Sequence, residues 1–184
     1  MIFVIKIGIA EKDGTTIKLL RELLSDGGSC VRCITHCRCD KNSLAAIDAD
    51  YLLMPADISR TEFDLVLSVN PDLCPSGIET KYLLENHDEP NERCAPLPAD
   101  IRISFGMGSE CDITASSIES ADGETSLSCC VRRRIDGFLG NSADIGEYTF
   151  RIYGSNPPVS SVLGAAAAYI MCKNTKKGET LLLY

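Results

Sequence analysis

The Ala10–Thr16 segment has the residue types and spacing to bind a negatively charged group. An apolar, β-branched run ends here, a polar turn follows, and a leucine-rich pattern with helical spacing begins. Such a strand, turn and helix place backbone N–H groups at a helix N-terminus, where anions are favoured. The candidate ligand-binding residues of this anion turn are Gly8, Lys12, Asp13, Gly14, Thr15 and Thr16. The alternative is an ordinary strand-to-helix turn with Thr15 as its N-cap.

A cluster of thiols could ligate zinc. Cys30, Cys33, Cys37 and Cys39 have the spacing C-x2-C-x3-C-x-C, and His36 lies among them. Structural zinc sites usually combine two ligand pairs separated by a longer spacer, whereas these four thiols fall within ten residues. The alternative is therefore a set of reduced thiols spread over a strand and its loop, where a free cysteine behaves as a small hydrophobe.

Nucleophilic catalysis has weaker support in the residues. The chain has ten cysteines and two histidines, so a cysteine-dependent enzyme would pair one thiol with His36 or His87. Asp112 with Ser116 and Ser117 is more typical of a polar strand face, because no Gly-x-Ser-x-Gly motif accompanies them. No catalytic residue is assigned from the sequence.

Alternating strand and helix patterns must position these residues in the first half of the chain. Strands are predicted at residues 2–9, 31–35, 51–54 and 63–69, and helices from residue 15 and at 42–47 and 76–86. This alternation favours a mostly parallel sheet covered by helices.

The second half has a different pattern. Strands are predicted at residues 101–105, 113–118, 125–135, 147–153 and 181–184, with a hairpin turn at 121–124 and an alanine-rich helix over 159–172. The predicted fold class is therefore α/β, with a mostly parallel sheet, flanking helices and a β-rich, antiparallel C-terminal portion. We expect one domain over residues 1–184, formed by an α/β half (1–86), a connector (87–100) and a β-rich half (101–184).

The composition argues against two classes of partner. Hydrophobic residues make up 45% of the chain and charged residues 24%, which is an ordinary globular mixture. A formal charge of −8 opposes binding to nucleic acid or to an anionic membrane, because both need clustered lysine and arginine. The sequence shows neither a signal peptide nor an apolar run long enough to span a bilayer, so a cytoplasmic protein is expected.

The motifs taken together resemble the central, ATP-binding domain of the Mur ligase family. The opening stretch IGIAEKDGTT is similar to that domain's strand, loop and helix start. Three further landmarks follow in the family's order, and together they span nearly the whole chain. They are FDLV at 63–66 leading to NPD at 70–72, ISFG at 103–106 with Asp112, and Gly154 leading to the alanines at 165–167. The resemblance implies a P-loop-type α/β fold.

The same comparison shows where the chain departs from the family's chemistry. In the family, the loop continues from glycine to a lysine that reaches the nucleotide phosphates, but here Gly14 is followed by Thr15. Glu11 replaces a loop glycine and would place a like charge near a polyanion. Pro55 stands where the family's metal-holding glutamate is expected, and Leu73 where a histidine is common. ATP and Mg²⁺ are therefore not expected as cofactors, and ATP-dependent ligase activity is not expected.

Three functions remain open from the sequence. The first is a non-catalytic Mur-ligase-like domain that acts as a binding or regulatory module for an unknown protein partner, in a cell-wall setting. The second is a binder of a nucleotide or another phosphate-bearing ligand at the anion turn. The third is a cysteine-dependent enzyme of unknown type.

Overall fold

The computed structural model describes residues 4–34, 47–57, 62–89, 97–153, 156–173, 175, 178 and 180–183. Within these ranges the chain forms twelve strands and two α-helices. The helices are α1 (Thr15–Asp26) and α2 (Val159–Cys172). The strands are β1 (Ile5–Ala10), β2 (Val31–Cys33), β3 (Tyr51–Pro55), β4 (Phe63–Ser68), β5 (Thr80–Asn86), β6 (Ala99–Gly106), β7 (Ile113–Ala121), β8 (Glu124–Val131), β9 (Ile135–Asp136), β10 (Ser142–Ala143), β11 (Gly146–Tyr153) and β12 (Thr180–Leu183).

Ten of these strands form one sheet in the order β12-β11-β8-β7-β6-β5-β4-β1-β3-β2, while β9 and β10 form a separate hairpin. All neighbours from β2 to β7 are parallel. Strand β8 runs antiparallel to both β7 and β11, and β12 is parallel to β11. The predicted fold class is confirmed: a mostly parallel α/β sheet continues into a β-rich portion that contains the antiparallel strands.

Both helices pack on the same face of the sheet. Leu20 and Leu24 of α1 are fully buried there, and every residue of α2 from 161 to 172 is buried. The small residues of α2 allow this close approach, since a Cβ at Gly164 would lie 3.2 Å from the Phe105 ring. The helices' C-terminal ends meet where Lys173 Nζ donates to the Gly27 carbonyl at 3.1 Å. Neither helix of the described chain is long and apolar enough to cross a bilayer.

The opposite face of the parallel strands is covered differently. Its buried apolar cluster includes Leu52, Met54, Val66 and Leu83, and in the described residues it contains no helical side chain. Loop residues, including Cys74 and Leu97, complete the cluster. Burial on both faces explains why the central strands have nearly continuous apolar sequences.

One predicted element is wrong. Residues 76–86 were expected to form a helix, but residues 80–86 are β5, which pairs with both β4 and β6. Tyr82, Leu83 and Leu84 are all buried because the strand is covered on both faces, so their pattern lacks the alternation of a half-buried strand. The predicted helix at 42–47 falls almost entirely outside the described residues.

The β7–β8 hairpin is confirmed, with a refinement of its second strand. Its two turn residues, Asp122 and Gly123, have φ of 51° and 79°, which is the conformation of a type I′ turn. The strand predicted over 125–135 is divided, because β8 ends at Val131 and Ile135 begins the separate β9–β10 hairpin.

Candidate functional site

The anion turn lies at the edge of the sheet where the parallel strands end. Strand β1 ends at Ala10, and α1 begins at Thr15 on the same side. The neighbouring strands β3 and β4 are parallel to β1 in register, so they end at the same edge. In open α/β sheets this carboxyl edge is where ligands bind. The structure thus brings five of the six predicted anion-turn residues, 12–16, to this edge.

Gly14 rather than Thr15 is the N-cap of α1. Gly14 has φ 75° and ψ 9°, the left-handed conformation that glycine adopts without steric cost. Thr15 is already the first helical residue, so its predicted role as N-cap is wrong. Because glycine has no side chain, the first N–H groups of the helix need other acceptors.

Two carboxylates of the chain supply those acceptors. Glu11 accepts the N–H of Thr16 at 2.6 Å through Oε2 and the N–H of Ile17 at 2.9 Å through Oε1. Asp13 accepts the N–H of Thr15 at 3.0 Å. This hydrogen bond lowers the pKa of Asp13 below its ordinary value. Three of the four N–H groups that have no intrahelical partner are therefore engaged by the turn itself.

The other predicted residues of the turn have mixed roles. Lys12 is exposed, and its backbone N–H donates to Asn70 Oδ1 at 3.1 Å. Gly8 lies within β1, where an added Cβ would be 2.9 Å from the Phe63 ring. The absence of a side chain at Gly8 thus makes room for packing between β1 and β4.

Two buried hydroxyl groups lie close to the anion turn. One belongs to the turn's own sequence, and the other lies on the neighbouring strand β4. Thr16 is fully buried in the first turn of α1, and Ser68, at the end of β4, pairs in register with Ala10. Neither Thr16 Oγ1 nor Ser68 Oγ has a hydrogen-bond partner among the described residues. A buried hydroxyl without a partner is costly, so these atoms are candidates for contact with a small bound molecule.

The rest of the carboxyl edge is acidic. Asp57 follows β3, Asp88 follows β5 and Glu110 follows β6, and all three are exposed. Asp88 also accepts the N–H of Met107, which lies 2.8 Å from each of its carboxylate oxygens. As at the anion turn, a carboxylate of the chain occupies a backbone donor that an external anion would need.

The predicted zinc ligands are only partly described. Cys30 and Cys33 are exposed, while His36, Cys37 and Cys39 lie outside the described residues, so the zinc site stays a prediction. In the part of the chain that is described, no three His, Cys, Asp or Glu side chains are grouped to hold a metal ion.

Burial makes several thiols poor nucleophiles. Partial desolvation raises the pKa of Cys33, whose side chain still reaches solvent, while burial raises the pKa of Cys111 and raises that of Cys129 to about 12. Cys172 is completely buried, and its pKa is raised for the same reason. The thiolate is the reactive form of cysteine, so these four residues offer little of it at neutral pH.

Asp112 has a structural role between β6 and β8. Its carboxylate accepts the N–H of Ser104 at 2.9 Å, and Arg133 donates to it through Nε at 2.5 Å. Ser116 instead donates to the Ser128 carbonyl at 3.1 Å. Asp112 therefore joins β6 to the segment that follows β8, and the bonds of Ser116 give no support to a hydrolase pair.

Asp112 gives a prediction about pH. Burial alone would raise its pKa, but the hydrogen bonds from Arg133 and Ser104 outweigh that effect and hold the pKa below the ordinary value. Its contribution to stability should be fully present above the unfolded-state pKa of about 4 and lost as pH falls through the lower folded-state pKa. In urea unfolding, Asp112→Asn should therefore be destabilised by a constant amount between about pH 5 and 7, and this difference should shrink below about pH 4. Asp57→Asn, at an exposed position, is the control and should show no such trend.

The role of Glu11 is the main site feature that sequence reasoning missed. From the sequence, Glu11 was interpreted only as a charge that would repel a polyanion. A carboxylate just before a helix is a recognisable signal for capping. The usual capping motifs place that residue next to the helix, however, whereas Glu11 lies three residues before Gly14 and reaches forward past it to Thr16 and Ile17.

Comparison with known proteins shows a likeness in fold. No protein-family profile matches the chain, and no curated protein matches it in sequence. Among solved structures, the chain is similar to the MurF ligase from Thermotoga maritima in complex with ADP, with a TM-score of 0.51 and 14% identity over 90% of this chain and 43% of that chain. MurF from Acinetobacter baumannii gives a TM-score of 0.50 and 13% identity over 96% and 46%. The chain thus spans less than half the length of these MurF chains, and at this identity the likeness shows a Mur-ligase-like fold alone.

Proposed function

We propose that this chain is a non-catalytic Mur-ligase-like domain that acts as a binding or regulatory module, in a setting related to the cell wall. The observation that carries the proposal is the engagement of the α1 N-terminus by Glu11 and Asp13. Phosphoryl transfer depends on positioning the phosphates and on neutralising their charge. Here three of the donors that could bind phosphate are already bonded, and the groups that accept from them are carboxylates.

The sequence supports the same proposal. The lysine that the family uses to reach the phosphates has no counterpart after Gly14, where Thr15 follows directly. Lys12 comes before Gly14 in the sequence, and it is exposed. The cell-wall setting rests only on the likeness to the MurF fold and is part of the proposal.

Removing Glu11 provides the test. We expect the wild-type protein to show no ATP hydrolysis and no thermal stabilisation by ATP with Mg²⁺ or by pyrophosphate. Glu11→Ala frees two N–H groups and removes a negative charge, so pyrophosphate should stabilise this variant and raise its Tm. Glu22→Ala, the same change on α1 away from the turn, is the matched control and should behave as wild type.

Two results would contradict the proposal. ATP hydrolysis by the wild-type protein would show that it is catalytic. Stabilisation of Glu11→Ala and Glu22→Ala to the same extent by pyrophosphate would show that Glu11 does not close the site.

A second candidate is a binder of a phosphate-bearing ligand at the anion turn, supported by the buried, unpartnered hydroxyl of Thr16. In that case a nucleotide or a nucleotide-sugar would stabilise the wild-type protein without being hydrolysed. A ligand at about 100 times its Kd adds about 2.7 kcal/mol, which a thermal shift detects. The stabilisation should be lost in Thr16→Val, which removes the hydroxyl and keeps the shape of the side chain.

A further inference from the structure

Strand β7 continues well beyond the strand that flanks it. Its pairing with β6 is limited to Phe105 with Ile113 and Gly106 with Thr114. On its other side, β7 stays paired with β8 as far as the turn, where Ala121 lies opposite Glu124. Among the described residues, positions 115–121 therefore have no strand on the side of β6. This stretch is the free edge of β7.

The hairpin geometry identifies which backbone groups point outward. A two-residue turn makes the flanking pair, Ala121 and Glu124, exchange hydrogen bonds, and the bonded pairs then alternate along the ladder. Glu119 accordingly bonds to β8, whereas the N–H and C=O groups of Ile118 and Ser120 face the free edge. Unpaired strand groups of this kind are a template for one more strand.

A groove and negatively charged side chains lie near the free edge. An open groove of about 410 Å³ lies between the hairpin tip and Asn156. A smaller apolar recess beside it is lined by Ile118 and by Val159 at the start of α2. Glu119 and Asp122 are exposed and give this part of the hairpin a negative charge, whereas Glu124 is paired with Arg151 at 3.6 Å.

The charge decides between two possible occupants. If two copies paired through their free edges, Glu119 and Asp122 of each copy would bring four carboxylates together, and like charges across strands are destabilising. The register shift between Ala115 and Ser117 also interrupts a flat edge, as in strands that are protected against self-pairing. The carboxylates do not oppose a strand with positively charged side chains, and the register shift lies outside the stretch from Ile118 to Ser120.

We propose that the free edge of β7 binds an extended, basic segment of a protein partner as an added strand. Backbone hydrogen bonds to Ile118 and Ser120 give the affinity, and lysine or arginine side chains near Glu119 and Asp122 give the preference. The inference rests on the proposed binding role and names its surface. Peptide binding and inertness toward nucleotides are measured separately, so either can fail while the other stands.

The test uses a capped heptapeptide of alternating lysine and valine, and a matched peptide with glutamate in place of lysine. Calorimetry at low salt should show binding of the lysine peptide only, and hydrogen exchange should show new protection of the Ile118 and Ser120 amides. Ser120→Pro removes an outward N–H without breaking the ladder to β8, so it should weaken binding by about tenfold. Ser120→Ala is the matched control, since both changes remove the hydroxyl that lies 3.2 Å from Thr125 Oγ1.

A charge reversal keeps the proposal testable if the proline variant does not fold. Glu119→Lys should weaken binding of the lysine peptide and strengthen binding of the glutamate peptide. The proposal is overturned if the two peptides bind equally well, or if peptide binding leaves the exchange of Ile118 and Ser120 unchanged. It is also overturned if light scattering shows a dimer of the peptide-free protein that Ser120→Pro converts to a monomer, because the occupant would then be a second copy.

Discussion

Replacing Phe105 with alanine is expected to lower the free energy of unfolding by about 3–5 kcal/mol. Phe105 is fully buried at the end of β6, between Asn86 of β5 and Ile113 of β7. Its ring also fits against Gly164 of α2, so alanine would leave a cavity where the sheet meets the helix. Urea unfolding measures the loss, and Phe105→Leu, which keeps most of the side-chain volume, should lose much less.

The same variant tests whether residues 1–184 behave as one domain. Phe105 lies where the parallel strands meet the β7–β8–β11 portion, and its apolar cluster includes residues of both halves. Native-state hydrogen exchange of Phe105→Ala should therefore show the same loss of stability in β1 as in β8. A loss confined to one half would contradict the single-domain prediction.

The second large effect is expected for Gly137→Ala, at the beginning of the β9–β10 loop. Gly137 has φ −95°, which any residue can adopt, so the backbone angle is not the obstacle. An added Cβ would instead meet the Met171 carbonyl oxygen near the end of α2, and backbone atoms there can move little. Overpacking of this kind should cost about 3 kcal/mol and lower the Tm by about 6–12 °C.

Gly108→Ala is the matched control for Gly137→Ala. A Cβ at Gly108 would also make a very short contact, but with the carboxylate of Glu110, whose exposed side chain can rotate away. We expect a change within about 0.5 kcal/mol. If calorimetry shows equal losses for the two variants, the rigidity of the α2 backbone is not the cause.

Local sequence patterns were sufficient to predict the elements whose structure depends mainly on their own residues. The first strand, the start of α1 and the alanine-rich α2 follow from apolar spacing, and Asp122 with Gly123 predicted the hairpin turn. Strand β5 was missed because its apolar run resembles a buried helix until β4 and β6 are placed on its two sides. Composition alone cannot distinguish a strand that is covered on both faces from a helix.

The position of the candidate site could be predicted from the sequence, but whether its N–H donors are free could not. The glycine turn predicted a cluster of N–H donors at a helix N-terminus, and the structure has that cluster. Whether the donors are free depends on the Glu11 side chain, which reaches forward past Gly14 to Thr16 and Ile17. Gly8 was likewise included among the candidate ligand-binding residues, although an added Cβ there would contact Phe63 on another strand.

The hydrogen bonds between Glu11 and the first turn of α1 also set a minimum affinity that an external anion needs in order to bind there. Glu11 is covalently tethered to the donors it occupies, so it behaves as an intramolecular competitor whose local concentration does not change on dilution. For a short tether this effective concentration is in the millimolar range or above. An anion of modest intrinsic affinity would therefore leave the turn unoccupied at micromolar levels, and one mutation at Glu11 would shift its apparent Kd without altering any other contact.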